Sequence, residues 1–140
     1  MTAGLIIPAM PGTAPDSEQL RTLRGALALL AEDPPLELGS CALARRLLPT
    51  EADPLRRGQA LGHALRTAIG YLHPCTHLPT GDRRWWPYRI CVFEFVEGRS
   101  RGEIAELLAI SASTYTRAKR RALERIAEAL PHLVRMQNSE

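Results

Sequence analysis

The sequence predicts an all-α fold in which an N-terminal helical bundle packs on a C-terminal helix-turn-helix of three helices. Three observations support this prediction. Apolar residues recur at spacings of three and four, prolines and glycines end the resulting segments, and residues suited to capping helices stand at their starts. With 140 residues, 45% of them hydrophobic, the chain can bury one core and a small second one.

The first helix is expected to follow an N-terminal lead. Residues 1–15 contain three prolines and two glycines, so we predict that they form a disordered lead. Asp16 can cap a helix, with Gln19 three residues later, and two prolines end that helix. Its apolar stripe consists of Leu20, Leu23, Leu27 and Leu30.

Two further helices complete a predicted N-terminal helical region over residues 16–72. The first is short, from about Gly39 to Leu48, and a proline stops it. The second starts at Asp53, a capping residue followed by proline at the first helical position. Its apolar face consists of Leu61, Leu65, Ala68, Ile69 and Leu72.

This longer helix also carries three glycines, at Gly58, Gly62 and Gly70. Each glycine weakens a helix by roughly 1 kcal/mol relative to alanine. We expect close packing against another helix to compensate for that loss.

A linker over residues 73–84 is predicted to join the two halves, because it has two prolines and a glycine and no apolar period. Beyond it, Pro87 suits the first turn of a helix that is apolar on more than one face. The residues concerned are Trp86, Ile90, Val92, Phe93, Phe95 and Val96. Since such a helix must be buried all round, we expect it to be central to both halves and to end at Gly98.

A helix-turn-helix is predicted next, and together with the central helix it forms a domain over residues 85–131. Ser100 and Glu103 have the spacing of a capping box, which sets the start of a short helix. Ile110 and Ser111 then supply the turn, with the serine as the cap of the following helix.

The second helix of this motif is predicted over residues 112–130, with residues 132–140 as a tail. Its inward stripe consists of Tyr115, Ala118, Ala122 and Ile126. The outward residues near its start are polar or basic. Between Arg99 and Arg125 seven cations face three acids, whereas the formal net charge of the whole chain is only +3. This local charge would attract a polyanion, and the predicted partner is double-stranded DNA.

In a helix-turn-helix the first turns of the second helix enter the major groove. The residues expected to meet base edges are Ser113, Thr116 and Arg117. Those expected to bind phosphates are Lys119, Arg120, Arg121 and, beside the free amides of the helix start, Ser111. Arg117 is the expected source of specificity, because arginine can bind guanine through two hydrogen bonds. Thr114 completes the predicted DNA-binding set.

The motif carries a family resemblance. Glu103-Ile-Ala, then Leu108-Ala-Ile-Ser111, then Thr114, resemble the helix-turn-helix of sigma-factor region four and of LuxR-type regulators. The chain departs from that pattern at two positions. The usual turn glycine is Ala109, and the usual valine or isoleucine after the threonine is Tyr115.

A longer stretch, from Trp86 to Leu123, is similar to region-four-like domains at the N-terminus of some bacterial ATPase- and repeat-containing regulators. A weaker similarity begins at Leu20, so the resemblance extends over about residues 20–130. The glycine-rich phosphate loop of an ATPase is missing from this sequence. The resemblance implies DNA binding in bacterial transcription control.

Other functions remain open at this stage. One is an adaptor that binds RNA polymerase or another protein through the same fold, and another is the DNA-recognition subunit of a phage-like packaging machine. A homodimer would present two recognition helices to a two-fold-related DNA site. An ordinary helical hairpin with a charged outer face is the structural alternative.

No enzymatic activity, cofactor or metal is expected. His73, Cys75, His77 and Cys91 match no strong zinc spacing, and the acidic residues do not cluster as in a metal-dependent nuclease. Three cysteines cannot form a closed disulfide set, and neither a signal peptide nor a membrane-spanning stretch is apparent. We therefore predict a cytoplasmic protein that does not bind membranes.

Overall fold

The fold is all-α, and no strand occurs among the residues that the structure describes. A computed structural model describes residues 17–74, 77–79 and 81–138, so the predicted lead and its capping residue Asp16 lie outside the described residues. The helices are α1 (Ser17–Ala28), α2 (Leu36–Ser40), α3 (Ala42–Leu47), α4 (Pro54–Gly70), α5 (Trp86–Cys91), α6 (Arg101–Leu108) and α7 (Ala112–Asn138). A 3₁₀ turn (Arg83–Trp85) precedes α5, and a π-helical turn (Val92–Val96) follows it.

Helices α1 to α4 form a bundle with a leucine-rich core. The predicted leucine stripe of α1 and the predicted apolar face of α4 are both buried. Asp53 caps α4 as predicted, because its carboxylate accepts a hydrogen bond from the amide of Leu55 at 3.1 Å. The N-terminal helical region is thus built around the side chains that its apolar periodicity marked. The single helix predicted from about Gly39 to Leu48 is wrong, because the extended backbone of Cys41 divides this segment into α2 and α3.

Helices α2 and α4 touch through two glycines. A Cβ atom at Gly58 would lie 1.9 Å from the carbonyl oxygen of Pro35, and one at Gly39 would lie 1.7 Å from that of Pro54. Only glycine permits backbones to approach this closely. Close packing therefore accounts for Gly58, whereas a Cβ at Gly70 would meet nothing within 4 Å.

A second, smaller core lies under the helix-turn-helix. It consists of Ile90, Ile104, Tyr115 and Ala118. Helices α5 and α7 contribute to both cores, since Cys91 and Ile126 belong to the larger one. The predicted central position of the α5 segment is confirmed, and α7 joins the two halves along its length.

The residues at the start of α6 make the contacts that the sequence predicts. Gly98 has a positive φ of 73°, and the amide of Arg99 donates to the carbonyl of Phe93 at 2.8 Å. Ser100 and Glu103 form the predicted capping box, with reciprocal side-chain to amide hydrogen bonds of 3.2 and 3.1 Å. The start of the helix-turn-helix is therefore fixed by local contacts.

The last helix is longer than the sequence indicates. Where a tail was predicted from residue 132, α7 continues through Pro131 to Asn138. Leu133 and Val134 are buried in the larger core. Their burial offsets the hydrogen bond that a proline removes from a helix interior, so the proline does not end α7.

Candidate nucleic-acid interface

The turn between α6 and α7 is set by Ala109. This alanine adopts the left-handed conformation, with φ 57° and ψ 46°, where the resembling motifs usually have glycine. The amide of Ile110 donates to the carbonyl of Ala105 at 3.0 Å and closes α6. The Oγ of Ser111 accepts from the amide of Thr114 at 3.2 Å and caps α7. The predicted turn and serine cap are both confirmed.

Replacing Ala109 with glycine is expected to raise the free energy of unfolding by about 1 kcal/mol. The left-handed conformation crowds the Cβ of alanine, at a cost of roughly 1–2 kcal/mol. Glycine relieves this strain, and the greater entropy that it gives the unfolded chain offsets part of the gain. Ala112→Gly is the matched control, because this exposed alanine in the first turn of α7 should lose a little helix stability. Denaturant unfolding measures both variants, and a destabilised Ala109→Gly protein would contradict the prediction.

Tyr115 anchors the start of α7 in the smaller core. It is 2% exposed, and its hydroxyl donates a hydrogen bond to the carboxylate of Glu94. The guanidinium of Arg101 lies 5.9 Å from the centre of its ring. Burial, followed by the nearby Glu94 carboxylate, raises the pKa of the tyrosine, so the hydroxyl stays protonated and keeps donating.

Seven of the eight predicted DNA-binding residues lie around the start of α7 in the way expected. All are exposed except Thr114, which is half-buried. The exposed residues are Ser111, Ser113, Thr116, Arg117, Arg120 and Arg121. The hydroxyl of Thr114 accepts hydrogen bonds from Ser111 at 2.9 Å and from Arg117 at 3.5 Å.

Lys119 is the member of the predicted set that lies apart. Its ammonium nitrogen is 2.6 Å from a carboxylate oxygen of Glu94, and the two side chains are 16% and 19% exposed. The ammonium also lies 5.5 Å from the ring centre of Phe95. Because Glu94 already satisfies this charge inside the fold, the geometry does not support the phosphate contact predicted for Lys119.

A groove lined by arginines lies on one side of α7, between this helix and residues 72–74 and 83–87. We call it the loop groove. It has a volume of about 590 Å³, and none of the described residues that line it is acidic. Its cations are Arg83, Arg84, Arg117, Arg121 and Arg125.

The carboxylate of Asp82 offsets one of the loop-groove charges. Arg84 donates two side-chain hydrogen bonds of 2.9 Å to Asp82, and these bonds hold the pKa of Asp82 down at about 2. The carboxylate is therefore ionised at neutral pH and neutralises Arg84. The positive charge of the loop groove comes from its other four arginines.

A second cationic groove lies on the opposite side of α7, where α1 and α6 meet this helix. We call it the bundle groove. It has a volume of about 280 Å³, and the described residues that line it include no acid. Its cations are Arg21, Arg24, Arg101, Lys119 and Arg120. The N-terminal bundle thus contributes two arginines of α1 to the basic surface beside α7.

Sequence reasoning missed six of the groove arginines as site residues. They are Arg21, Arg24, Arg83, Arg84, Arg101 and Arg125. Two signals were available: Arg101 and Arg125 lie within the basic interval, and Arg21 and Arg24 share the polar side of α1. Neither signal places these side chains beside the start of α7, which requires the tertiary fold.

Three further observations concern the Cys91 thiol, possible metal ligands and the helices as membrane spans. Burial raises the pKa of the Cys91 thiol to about 12, so this thiol stays protonated and is a poor nucleophile or metal ligand. Among the described residues, no three or more His, Cys, Asp or Glu side chains come together as a metal site would require; Cys75 lies outside them. In the same part of the chain, every helix is too short or too polar to cross a membrane.

The start of α7 and the two grooves form one basic surface. Ser113, Arg117 and Arg120 lie on the exposed side of the helix, and the grooves lie to its left and right. Such a surface suits an extended polyanion better than a small neutral ligand.

No protein-family model, no curated protein and no solved structure matches this chain.

Proposed function

We propose that this protein is a DNA-binding transcriptional regulator whose helix α7 lies in the major groove of duplex DNA. One observation carries the proposal: Ser113, Arg117 and Arg120 are exposed on one side of the helix start, and no acidic residue occurs in α7 before Glu124. A helix with its side chains is about 10–12 Å across, which matches a major groove about 12 Å wide.

The anchoring of α7 supports the proposal. Tyr115 and Ala118 are buried in the smaller core, and Ser111 caps the helix. The exposed residues between these anchors are therefore held by a rigid backbone. Recognition of base edges needs this rigidity, because hydrogen bonds to bases are directional.

Arg117 is the residue proposed to read a base. Within the described part of the chain its guanidinium donates a long hydrogen bond of 3.5 Å to the hydroxyl of Thr114, and it takes part in no ion pair. A guanidinium that is not neutralised inside the protein can bind the O6 and N7 atoms of guanine. Arg120 forms an ion pair with Glu124 at 3.2 Å, but its side chain is 58% exposed. Because exposed ion pairs are weak, the guanidinium of Arg120 can still contact a phosphate.

Selection of bound duplexes from a random pool tests the proposal. We expect one enriched sequence, and a two-fold-symmetric sequence would indicate a homodimer. Absence of duplex binding even at low salt would contradict DNA recognition. Capture of RNA polymerase by a protein without duplex affinity would support the adaptor function instead.

Arg117→Ala is expected to weaken binding to the selected duplex about 10- to 100-fold and to relax the preference at one base position, since a bidentate contact is worth roughly 1–3 kcal/mol. Binding to random duplex should change much less. Arg56→Ala is the matched control, because this exposed arginine lies in the first turn of α4, far from the end of α4 that adjoins α7. An Arg117 variant with unaltered base preference would contradict the assignment.

A further inference from the structure

The two grooves flank α7 in a regular way. On the loop-groove side, Arg117, Arg121 and Arg125 follow one another at intervals of four residues, which is the spacing of neighbours along one face of a helix. On the bundle-groove side, Thr116, Arg120 and Leu123 are spaced by four and three. The N-terminal half of the helix therefore separates two cationic channels, one in each groove.

Segments outside the helix-turn-helix complete each channel. The 3₁₀ turn supplies Arg83 to the loop groove, and α1 supplies Arg21 and Arg24 to the bundle groove. All three are exposed, and no ion pair holds them among the residues that the structure describes. Each groove therefore presents positive charge that the protein does not itself neutralise.

A helix in the major groove has one sugar-phosphate backbone on each side. Since the groove is about as wide as the helix, both backbones lie close to its flanks. Each backbone is a line of negative charges, and cations that contact it release bound counterions. The two cationic channels beside α7 have the arrangement that these two backbones require.

From this match we infer that the loop groove and the bundle groove each hold one of the two backbones of the same duplex, so that α1 of the N-terminal bundle is part of the DNA interface. The inference rests on the proposed function, because it takes α7 to lie in the major groove. It assigns DNA contacts to Arg21 and Arg24, which are remote in sequence from the helix-turn-helix, and to Arg83, which lies just before its first helix. These contacts strengthen and orient binding without reading the sequence.

Paired charge-removing variants of the full chain test the inference. One is Arg21→Gln with Arg24→Gln, which alters the bundle groove. The second is Arg83→Gln with Arg125→Gln, which alters the loop groove. The matched control removes the same charge from exposed arginines of the N-terminal bundle that line neither groove, through Arg46→Gln with Arg56→Gln.

The measurement is the affinity for the selected duplex as a function of salt. Each phosphate contact contributes about 0.9 to the slope of log K against log salt concentration. We expect each groove variant to lower the slope by about 1–2 and to bind roughly 10-fold more weakly near 0.1 M salt, with the ratio of specific to random binding unchanged. The control should keep the wild-type slope. Melting curves check that all variants are folded.

Phosphate ethylation interference then distinguishes the two backbones. Around each bound α7, the wild-type protein should show interfering phosphates on both strands, and each groove variant should lose those of one strand, a different strand in each case. Loss of the same strand by both variants, or slopes equal to wild type, would overturn the inference while leaving DNA binding intact. If the wild-type protein binds no duplex, the proposed function fails and this inference fails with it.

Discussion

Replacing Gly58 with alanine is expected to lower the free energy of unfolding by about 3 kcal/mol, near the upper end of the range for overpacking a core. The added Cβ would lie 1.9 Å from the carbonyl oxygen of Pro35, and 3.0 Å from the amide nitrogen of Gly39. These are backbone atoms, so no side chain can rotate away to make room. Helices α2 and α4 must separate, and the leucine core between them opens.

Thermal and denaturant unfolding measure this change, with an expected fall in Tm of roughly 10 °C. Gly25→Ala is the matched control: this glycine lies within α1 and is exposed, and a Cβ there would meet nothing within 4 Å. The control should be stabilised by up to about 1 kcal/mol, because alanine favours a helix. If both variants gained stability, α2 and α4 would not touch as described.

Some helix ends could be predicted from the sequence because their causes are local. Asp53, Gly98 and Ser100 each act on amides or carbonyls within a few residues of their own positions. Side-chain identity and spacing along one segment therefore suffice to recognise them. The turn is similar, since the resembling motifs usually have glycine where Ala109 stands, and Ala109 adopts a positive φ.

The interior partners could not be predicted in this way. The sequence predicts a phosphate contact for Lys119 because its neighbours are basic. The ammonium of Lys119 instead donates a hydrogen bond to Glu94, which lies 25 residues earlier in the chain. The spacing of apolar residues in α7 does not indicate which side chain of a preceding helix will contact Lys119. The burial of Leu133 and Val134 is a second example, because it depends on the larger core rather than on the segment around Pro131.

The same limit applies to the basic surface. The charge count identified the interval from Arg99 to Arg125. Arg21 and Arg24 lie instead within residues 1–80, where seven arginines balance seven acids. They reach the flank of α7 only because α1 packs against that helix. A shared helix therefore couples the two halves in structure, and the inferred DNA contacts of α1 would couple them in binding as well.

Replacing Glu94 with alanine is expected to lower the free energy of unfolding by about 3 kcal/mol. The carboxylate accepts from the hydroxyl of Tyr115 and binds the ammonium of Lys119 at 2.6 Å. Without it the buried tyrosine hydroxyl loses its partner, at roughly 1–3 kcal/mol, and a mostly buried ammonium loses its counter-charge. Glu97→Ala is the matched control, since the Glu97–Arg99 ion pair is about 40% exposed on each side and should contribute under about 1 kcal/mol.

A double-mutant cycle with Tyr115→Phe isolates the hydrogen bond within this network. In the wild-type background Tyr115→Phe leaves the carboxylate one donor short, whereas in the Glu94→Ala background it removes an unsatisfied hydroxyl from the core. The phenylalanine should therefore be less destabilising in the second background, with a coupling energy of about 1–2 kcal/mol. Additive effects would contradict the contact between the two side chains. Tyr115 anchors the start of α7, which is the helix proposed to bind DNA. The apparent affinity of the Glu94→Ala protein for the selected duplex should therefore fall in proportion to the fraction of the protein that is unfolded.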